Sequence, residues 1–327
     1  MGEFYSILRV EIQDFLTLRR AHLSISGYSH DVCYLKSFDT YLSHLGLEEK
    51  KITEATASGW VGSLTGKSSS RANKVITLRI FTKYLLSLGI TAHVPVIPKV
   101  ADDYIPYIFS DAELERIFTA ADSIRVTKNQ TNPNMQIEFP MIIRLLYGCG
   151  LRIGETLALQ MKDVDLDSDI LTMLHTKRDK QRLVPLSQSL AEILRNYCLS
   201  MGIVGIPSAY LFPGVDPVKP ASVESIKNKF RAILRNLDIV PKMRVWHERG
   251  PCLHCFRHVF TFKSFAQAER NGHPIDDSIP FLSVYLGHEG LDETEKYLKF
   301  SSEMYPEALE MFESYTENVF PEVTDEL

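Results

Sequence analysis

The chain has 327 residues, of which 45% are hydrophobic and 24% are charged, and its formal net charge is -5. This composition indicates a globular protein of about two domains, and the lack of any apolar run near the roughly 20 residues of a membrane helix excludes a helical membrane span. Five scattered cysteines are too few for a disulfide scaffold, and the start MGEFYSILRV lacks the regions of a secretion signal, so we expect a cytoplasmic protein.

The charge is unevenly distributed along the chain. Residues 303–327 contain eight acidic residues and no Lys or Arg, so the preceding residues carry a net charge of +3. Between Ala55 and Ala101 there are six basic residues and no acidic one. Because phosphate binding depends on local surface charge and not on the sum, this basic region is compatible with a DNA partner.

Residues 1–93 are predicted to form a helical domain. Two stretches, YLKSFDTYLSHLGL and ANKVITLRIFTKYLLSLGI, have the apolar periodicity of amphipathic helices, and each helix is closed by a glycine. One face of the second helix is predicted to consist of Val75, Leu78, Phe81, Leu85 and Leu86. Basic side chains lie off that face or just before it, and we interpret them as DNA-binding residues: Lys67, Arg71, Lys74, Arg79 and Lys83. The alternative is an ordinary solvated face of a helical bundle.

The second half of the chain is predicted to be a separate, mostly helical domain. Segment 94–108 contains three prolines and no periodicity, which indicates a linker, and Ser110 with Glu113 forms a capping-box pattern at a helix start. IRLLYGCG and LRIGETLALQM are predicted helices, and ILTMLHTKRDKQRLVPLS is predicted to form two short strands around a polar turn. Helices are expected again from about Ala221 to Asp238, from about Cys252 to Gln267, and from Asp292 onward. The predicted fold class is therefore mostly α with a small antiparallel β-sheet.

A helix that starts near Cys252 would place His254 and Arg257 on one face and the apolar Leu253, Phe256 and Phe260 on another. The apolar side chains would anchor the helix in a core. A buried, charged Arg needs an anionic partner, which is either a carboxylate of the protein or a phosphate of a ligand.

Other polar residues form similar groups. Arg152 follows two glycines at a predicted helix start, a position that favours anions, and Glu155 one turn later could orient it. The predicted hairpin carries Lys177 at the end of one strand, and its tip could enter a DNA groove with Arg178, Lys180 and Arg182. His288 precedes Tyr297 by nine residues, and Asp292 with Glu295 fits a capping box before that tyrosine.

Five motifs follow one another along the chain: GLRIGE, a lysine in a strand-turn-strand that ends in RLVPL, HxxRH, LGH, and a tyrosine nine residues after the LGH histidine. In this order they resemble the motifs of the tyrosine recombinase, or phage integrase, family. The resemblance spans about Phe109 to Phe300. It implies a catalytic domain at 109–302, a SAM-like core-binding domain at 1–93, and a two-domain, C-shaped clamp on duplex DNA. It also implies an active site of Arg152, Lys177, His254, Arg257, His288 and the nucleophile Tyr297. Glu155 is interpreted as a supporting residue, and His258, at the margin of the predicted catalytic face, is either a supporting residue, which we favour, or an exposed side chain.

The resemblance implies a specific chemistry. Arg152 and Arg257 would hold the non-bridging phosphate oxygens, Tyr297 would form a 3′-phosphotyrosyl bond, and Lys177 would protonate the departing 5′ oxygen. His254 would act as acid and base, and His288 would donate a hydrogen bond to the phosphate. No metal, cofactor or ATP is then required. The implied partners are a double-stranded recombination site, a homotetramer on DNA that proceeds through a Holliday junction, and accessory directionality proteins.

Several alternatives stay open at this point. A type IB topoisomerase shares the chemistry, and a non-catalytic DNA-binding regulator could share the fold. Cys252 and Cys255 have a spacing found in zinc sites. The stretch from Asp163 to Asp169 resembles a calcium loop but lacks the Gly and the Glu of such a loop, so a polar turn is the better interpretation of that stretch. Residues 267–287 are expected to form a longer loop than in compact Xer-type members. The acidic tail 303–327 either covers its own domain or docks onto a neighbouring protomer.

Overall fold

The computed structural model describes residues 4–100, 106–125, 132–174, 181–240, 250–288, 290–291 and 294. Predictions for Lys177, Arg178, Lys180, Tyr297 and the tail 303–327 therefore fall outside the described residues, as does most of the helix expected from Asp292. The chain divides into two compact units, residues 1–104 and 105–327. No helix within the described ranges combines the length and apolarity that a membrane span needs.

The first unit is helical, with α1 at Arg9–Arg20, α2 at Ile25–Leu45, α3 at Glu54–Ser63 and α4 at Ser68–Ser87. The Ser24 side chain caps α2 by accepting from the Gly27 N–H, and Gly46 ends this helix in the left-handed conformation. Aromatic side chains join the helices in one core, where the Phe38 and Trp60 rings meet edge to face at 5.2 Å.

The predicted apolar face of α4 is largely confirmed. Val75, Leu78, Phe81 and Leu85 are buried, but Leu86 is 47% exposed, so its assignment to that face was wrong. Each helical residue turns the chain by about 100°, and this rotation carries Leu86 from the buried stripe to the surface.

The basic side chains predicted to bind DNA lie at or near the surface of this unit. Arg71 and Lys83 are exposed, and Lys67, Lys74 and Arg79 are half-buried. The Arg79 guanidinium donates to the Pro95 carbonyl, which fixes it against the segment that follows the helix.

The second unit contains the remaining helices and the sheet. Its helices are α5 at Asp111–Asp122, α6 at Met135–Cys149, α7 at Ile153–Ala158, α8 at Gln188–Met201, α9 at Val223–Asn236, α10 at His254–Arg270 and α11 at Ile275–Leu286. Its strands are β1 at Val164–Asp165, β2 at Ile170–Met173 and β3 at Arg182–Pro185. Helix α6 packs against α5, α8 and α10 over a continuous apolar core.

The described strands form an antiparallel sheet in the order β1-β2-β3, with Thr172 opposite Leu183. The fold class of mostly α structure with a small antiparallel sheet is thus confirmed. The capping box of Ser110 and Glu113 is present at the start of α5. The aspartate-rich stretch is a turn between β1 and β2, where Asp165 Oδ1 accepts the N–H groups of Asp167 and Ser168, in agreement with the polar-turn interpretation.

The expectation of a long loop at 267–287 is wrong. Helix α10 continues to Arg270, and after a short turn α11 occupies 275–286. Pro280 lies inside α11 and disfavours a helix there, but Ile279, Leu282 and Leu286 are buried in a cluster with Phe265 of α10. Packing against α10 therefore outweighs the local cost of the proline.

Candidate active site

Two arginines from distant parts of the chain meet at the C-terminal end of α11. Arg257 Nη2 donates to the Leu286 carbonyl at 2.7 Å, and Arg152 Nη2 lies 3.4 Å from the carbonyl of the next residue, Gly287. The last carbonyls of a helix have no partner within the helix and carry partial negative charge, so they attract guanidinium groups. His288 follows directly, and two arginines and a histidine are thereby brought to one place.

Arg257 is held rigidly. It lies on α10, is 1% exposed, and donates from Nη1 to the Gly150 carbonyl at 2.8 Å. Gly150 ends α6 with φ of +61°, and a Cβ there would lie 2.5 Å from the Phe260 ring. A glycine is therefore needed at this position, both for the left-handed conformation and for the close approach of α10.

Arg152 and Arg182 share one carboxylate. Glu155 Oε1 accepts from Arg152 Nη1 at 2.8 Å, and Glu155 Oε2 accepts from Arg182 Nη2 at 2.7 Å. Burial by itself would raise the pKa of Glu155. The hydrogen bond and charge of Arg182, followed by the hydrogen bonds from Arg152, outweigh burial and hold this pKa below its ordinary value. Two guanidinium groups on one carboxylate leave this trio with a net positive charge, which favours an anion beside it.

The position of Arg182 differs from the one predicted. Its side chain is 8% exposed, and Glu155 binds it in the interior next to Gly287, so it is not part of an exposed hairpin surface. The Arg152 side chain is 37% exposed, which makes it accessible to an external phosphate.

Two histidines stand one turn apart at the start of α10. His254 is exposed, His258 is 5% exposed, and their rings meet edge to face at 4.7 Å. Burial, followed by the charges of His254 and Arg257, lowers the pKa of His258 to about 3. His258 is therefore buried beside His254 and is not an exposed side chain.

His288 is placed by the turn after α11. Its backbone N–H donates to the Ser283 carbonyl at 3.0 Å, and its Nδ1 lies 2.6 Å from Oγ1 of the fully buried Thr294. Burial lowers the pKa of His288 to about 3, with further contributions from Arg257 and Arg152, so the ring is neutral at physiological pH. Thr294 was not predicted from the sequence, although it lies three residues before Tyr297, one turn away in the expected helix.

One region of the second unit thus contains the predicted active-site residues and their supporting residues, as far as the structure describes them: Arg152, Glu155, His254, Arg257, His258 and His288. Cys252 and Cys255 also lie there, with their sulfurs 3.8 Å apart. Over the residues that the structure describes, no group of three or more His, Cys, Asp or Glu side chains is arranged to hold a metal ion.

The known proteins that this chain is similar to are integrases and recombinases. A family model described as "Phage integrase family" matches residues 108–304. The chain is 27% identical over 326 residues to the putative integrase/recombinase y4rB of Sinorhizobium fredii, covering 94% of this chain and 98% of that one. It is 24% identical over 291 residues to the tyrosine recombinase XerC of Staphylococcus carnosus, covering 86% and 87%. A crystal structure of the XerH site-specific recombinase bound to palindromic difH substrate shares the fold, with a TM-score of 0.67 and 18% identity over 92% of this chain and 84% of that one.

Proposed function

The chain belongs to the phage integrase family and is a tyrosine-type site-specific DNA recombinase, and we propose that Arg152, His254, Arg257 and His288 form its active site together with Lys177 and Tyr297. One observation carries this proposal: the two arginines, 105 residues apart in the chain, contact consecutive carbonyls directly before His288. Paired guanidinium groups beside a neutral imidazole suit a phosphodiester, which needs its charge offset before a nucleophile can approach.

In the proposed reaction the Tyr297 oxygen attacks phosphorus and forms a phosphotyrosyl bond, while the bond from phosphorus to the 5′ oxygen breaks. Lys177 supplies the proton that the departing oxygen takes up, and exposed His254 receives the tyrosine proton. The reverse attack by a 5′ hydroxyl rejoins the strand, so the phosphodiester energy is kept and no ATP is consumed.

His288 would act as a hydrogen-bond donor to the phosphate. The Thr294 hydroxyl can donate to Nδ1 at 2.6 Å, and in that tautomer Nε2 carries the ring hydrogen. The lowered pKa of His288 supports this role, because a neutral ring keeps one fixed donor over the physiological range. Since Arg257 is 1% exposed, DNA binding would also have to uncover its guanidinium before it can touch a phosphate.

The test is a nicked duplex site that traps the covalent intermediate. We expect the wild-type chain to form a protein–DNA adduct, and Tyr297→Phe to form none while it still binds the duplex in a gel-shift assay. Tyr34→Phe, a change of the same kind in the first unit, serves as the control and should form the adduct normally. An adduct in Tyr297→Phe would remove that residue from its role.

The proposal extends to the assembly. Residues 1–93 and the catalytic domain at 109–302 would clamp duplex DNA, with phosphates bound by Lys67, Arg71, Lys74, Arg79, Lys83, Arg178 and Lys180. Arg182 would instead fix Glu155, since that carboxylate binds it in the interior. Four protomers, two on each site, would exchange strands through a Holliday junction in the cytoplasm, with accessory proteins setting direction. The acidic tail 303–327 would dock onto a neighbouring protomer, which native mass measurement of DNA-bound assemblies with and without the tail can test.

A further inference from the structure

Cys252 and Cys255 lie on either side of His254, and the proposed reaction uses neither thiol. Their sulfurs are 3.8 Å apart; Cys252 is exposed, while Cys255 is 2% exposed. The backbone turn between them is already closed, because the Cys255 N–H donates to the Cys252 carbonyl at 2.9 Å. An accessible thiol one turn from a buried one is the arrangement in which an oxidant can produce a disulfide within one chain.

We propose that Cys252 and Cys255 form a redox-modification site, at which hydrogen peroxide converts the dithiol into an intramolecular disulfide and thereby slows DNA cleavage. The effect on cleavage rests on the proposed function, because it acts through His254. The formation of the disulfide depends only on the two thiols.

The reaction balances with peroxide as the oxidant. The Cys252 sulfur attacks one peroxide oxygen, the O–O bond breaks, and the products are a Cys252 sulfenic acid and water. The Cys255 sulfur then attacks the Cys252 sulfur, forms the S–S bond and releases a second water, which takes up the Cys255 proton. Two thiols are oxidised and one peroxide is reduced to two waters. A dithiol reductant reverses the change by two exchange steps.

The environment of the two thiols supports this order of events. The hydrogen bond to Cys252 raises the pKa of Cys255, and burial raises it further. Cys255 therefore stays protonated, and the exposed Cys252 is the sulfur that meets the oxidant first. The Cys255 sulfur also accepts the Cys252 backbone N–H at 3.3 Å, a contact that disulfide formation would disturb.

Disulfide formation draws together two side chains that flank His254. An S–S bond is about 2.05 Å long, so the two sulfurs must approach by roughly 1.8 Å. Arg257, two residues after Cys255, is anchored to the Gly150 and Leu286 carbonyls. A backbone shift that accompanies the bond is therefore confined to the start of α10, where His254 lies. A misplacement of about 1 Å in a catalytic group can cost on the order of a hundredfold in rate.

The experiment uses the full chain, reduced with dithiothreitol and then treated with hydrogen peroxide. After alkylation of the remaining thiols, peptide mapping should show a Cys252–Cys255 peptide that is lighter by two thiol hydrogens. The rate of covalent adduct formation on a nicked site should fall at least about tenfold, with duplex binding retained, and dithiothreitol should restore it. Cys252→Ser should abolish both effects, whereas Cys33→Ser, at an exposed cysteine of the first unit, should keep both.

Each other outcome overturns a defined part of the inference. If peroxide leaves both thiols open to alkylation, or links Cys252 to a second chain, the modification site is refuted. If the disulfide forms but the adduct rate is unchanged, or if inhibition persists in Cys252→Ser, its effect on cleavage is refuted. If the reduced protein forms no adduct while the disulfide still appears in the peptide map, the proposed function fails and the modification site stands.

Discussion

Replacing Glu155 by Gln should destabilise the second unit strongly, because Glu155 is the carboxylate shared by Arg152 and Arg182. The side chains of Glu155 and Arg182 are 9% and 8% exposed, so the substitution leaves a guanidinium with little access to water and without its anionic partner. Breaking a buried pair by removing one partner typically costs about 3–5 kcal/mol. We expect the free energy of unfolding to fall by that amount at pH 7.

The assay is urea unfolding followed by circular dichroism. Glu224→Gln is the matched control, because its pair with Arg231 has a similar 3.0 Å separation but is 62% and 58% exposed, so its loss should cost less than about 1 kcal/mol. The pKa of Glu155 is depressed, so its stabilising effect is present above the ordinary value of 4.5 and is lost as the pH falls through the lower folded value. The difference between wild type and Glu155→Gln should therefore shrink in acid. A cost at pH 7 no larger than that of the control would refute this account of the pair.

Two further changes test other buried groups. Burial raises the pKa of Glu138 to about 7, although the hydrogen bond from Asn132 acts in the opposite direction. The stability that this group contributes is therefore present below its ordinary pKa of 4.5 and is lost as the pH rises through 7. In urea unfolding, Glu138→Gln should be as stable as wild type at pH 4 and more stable by roughly 3 kcal/mol at pH 8. If the stability of the two proteins changes with pH in the same way, the raised pKa of Glu138 is contradicted. Thr294→Val removes the hydroxyl beside His288 Nδ1 and should slow adduct formation at least about tenfold. Thr294→Ser keeps a hydroxyl and should retain most of the rate. Equal rates for the two variants would show that the hydroxyl does not position the His288 ring.

Local patterns in the sequence were sufficient for the fold class and for the ends of several helices. The capping box at Ser110 and the glycine that ends α6 act within one helical turn, so the residues that determine them are neighbours in the chain. The periodicity of α4 predicted its buried stripe for the same reason, apart from Leu86 at the margin. The order of the motifs from Arg152 to Tyr297 was sufficient to identify the family.

Contacts across long stretches of chain decided the rest. The bond from Arg257 to Gly150 spans 107 residues and the approach of Arg152 to Gly287 spans 135, and neither partner is a polar side chain that a motif could reveal. Helix α11 forms in spite of Pro280 because α10 covers its apolar face, and Arg182 lies in the interior because Glu155 is there to bind it. The sequence by itself determined the fold class, the family and the set of candidate site residues, since residue type and spacing are local properties. Only the tertiary structure decided which of those residues are buried, paired or exposed to solvent, because burial and pairing depend on the packing of distant segments.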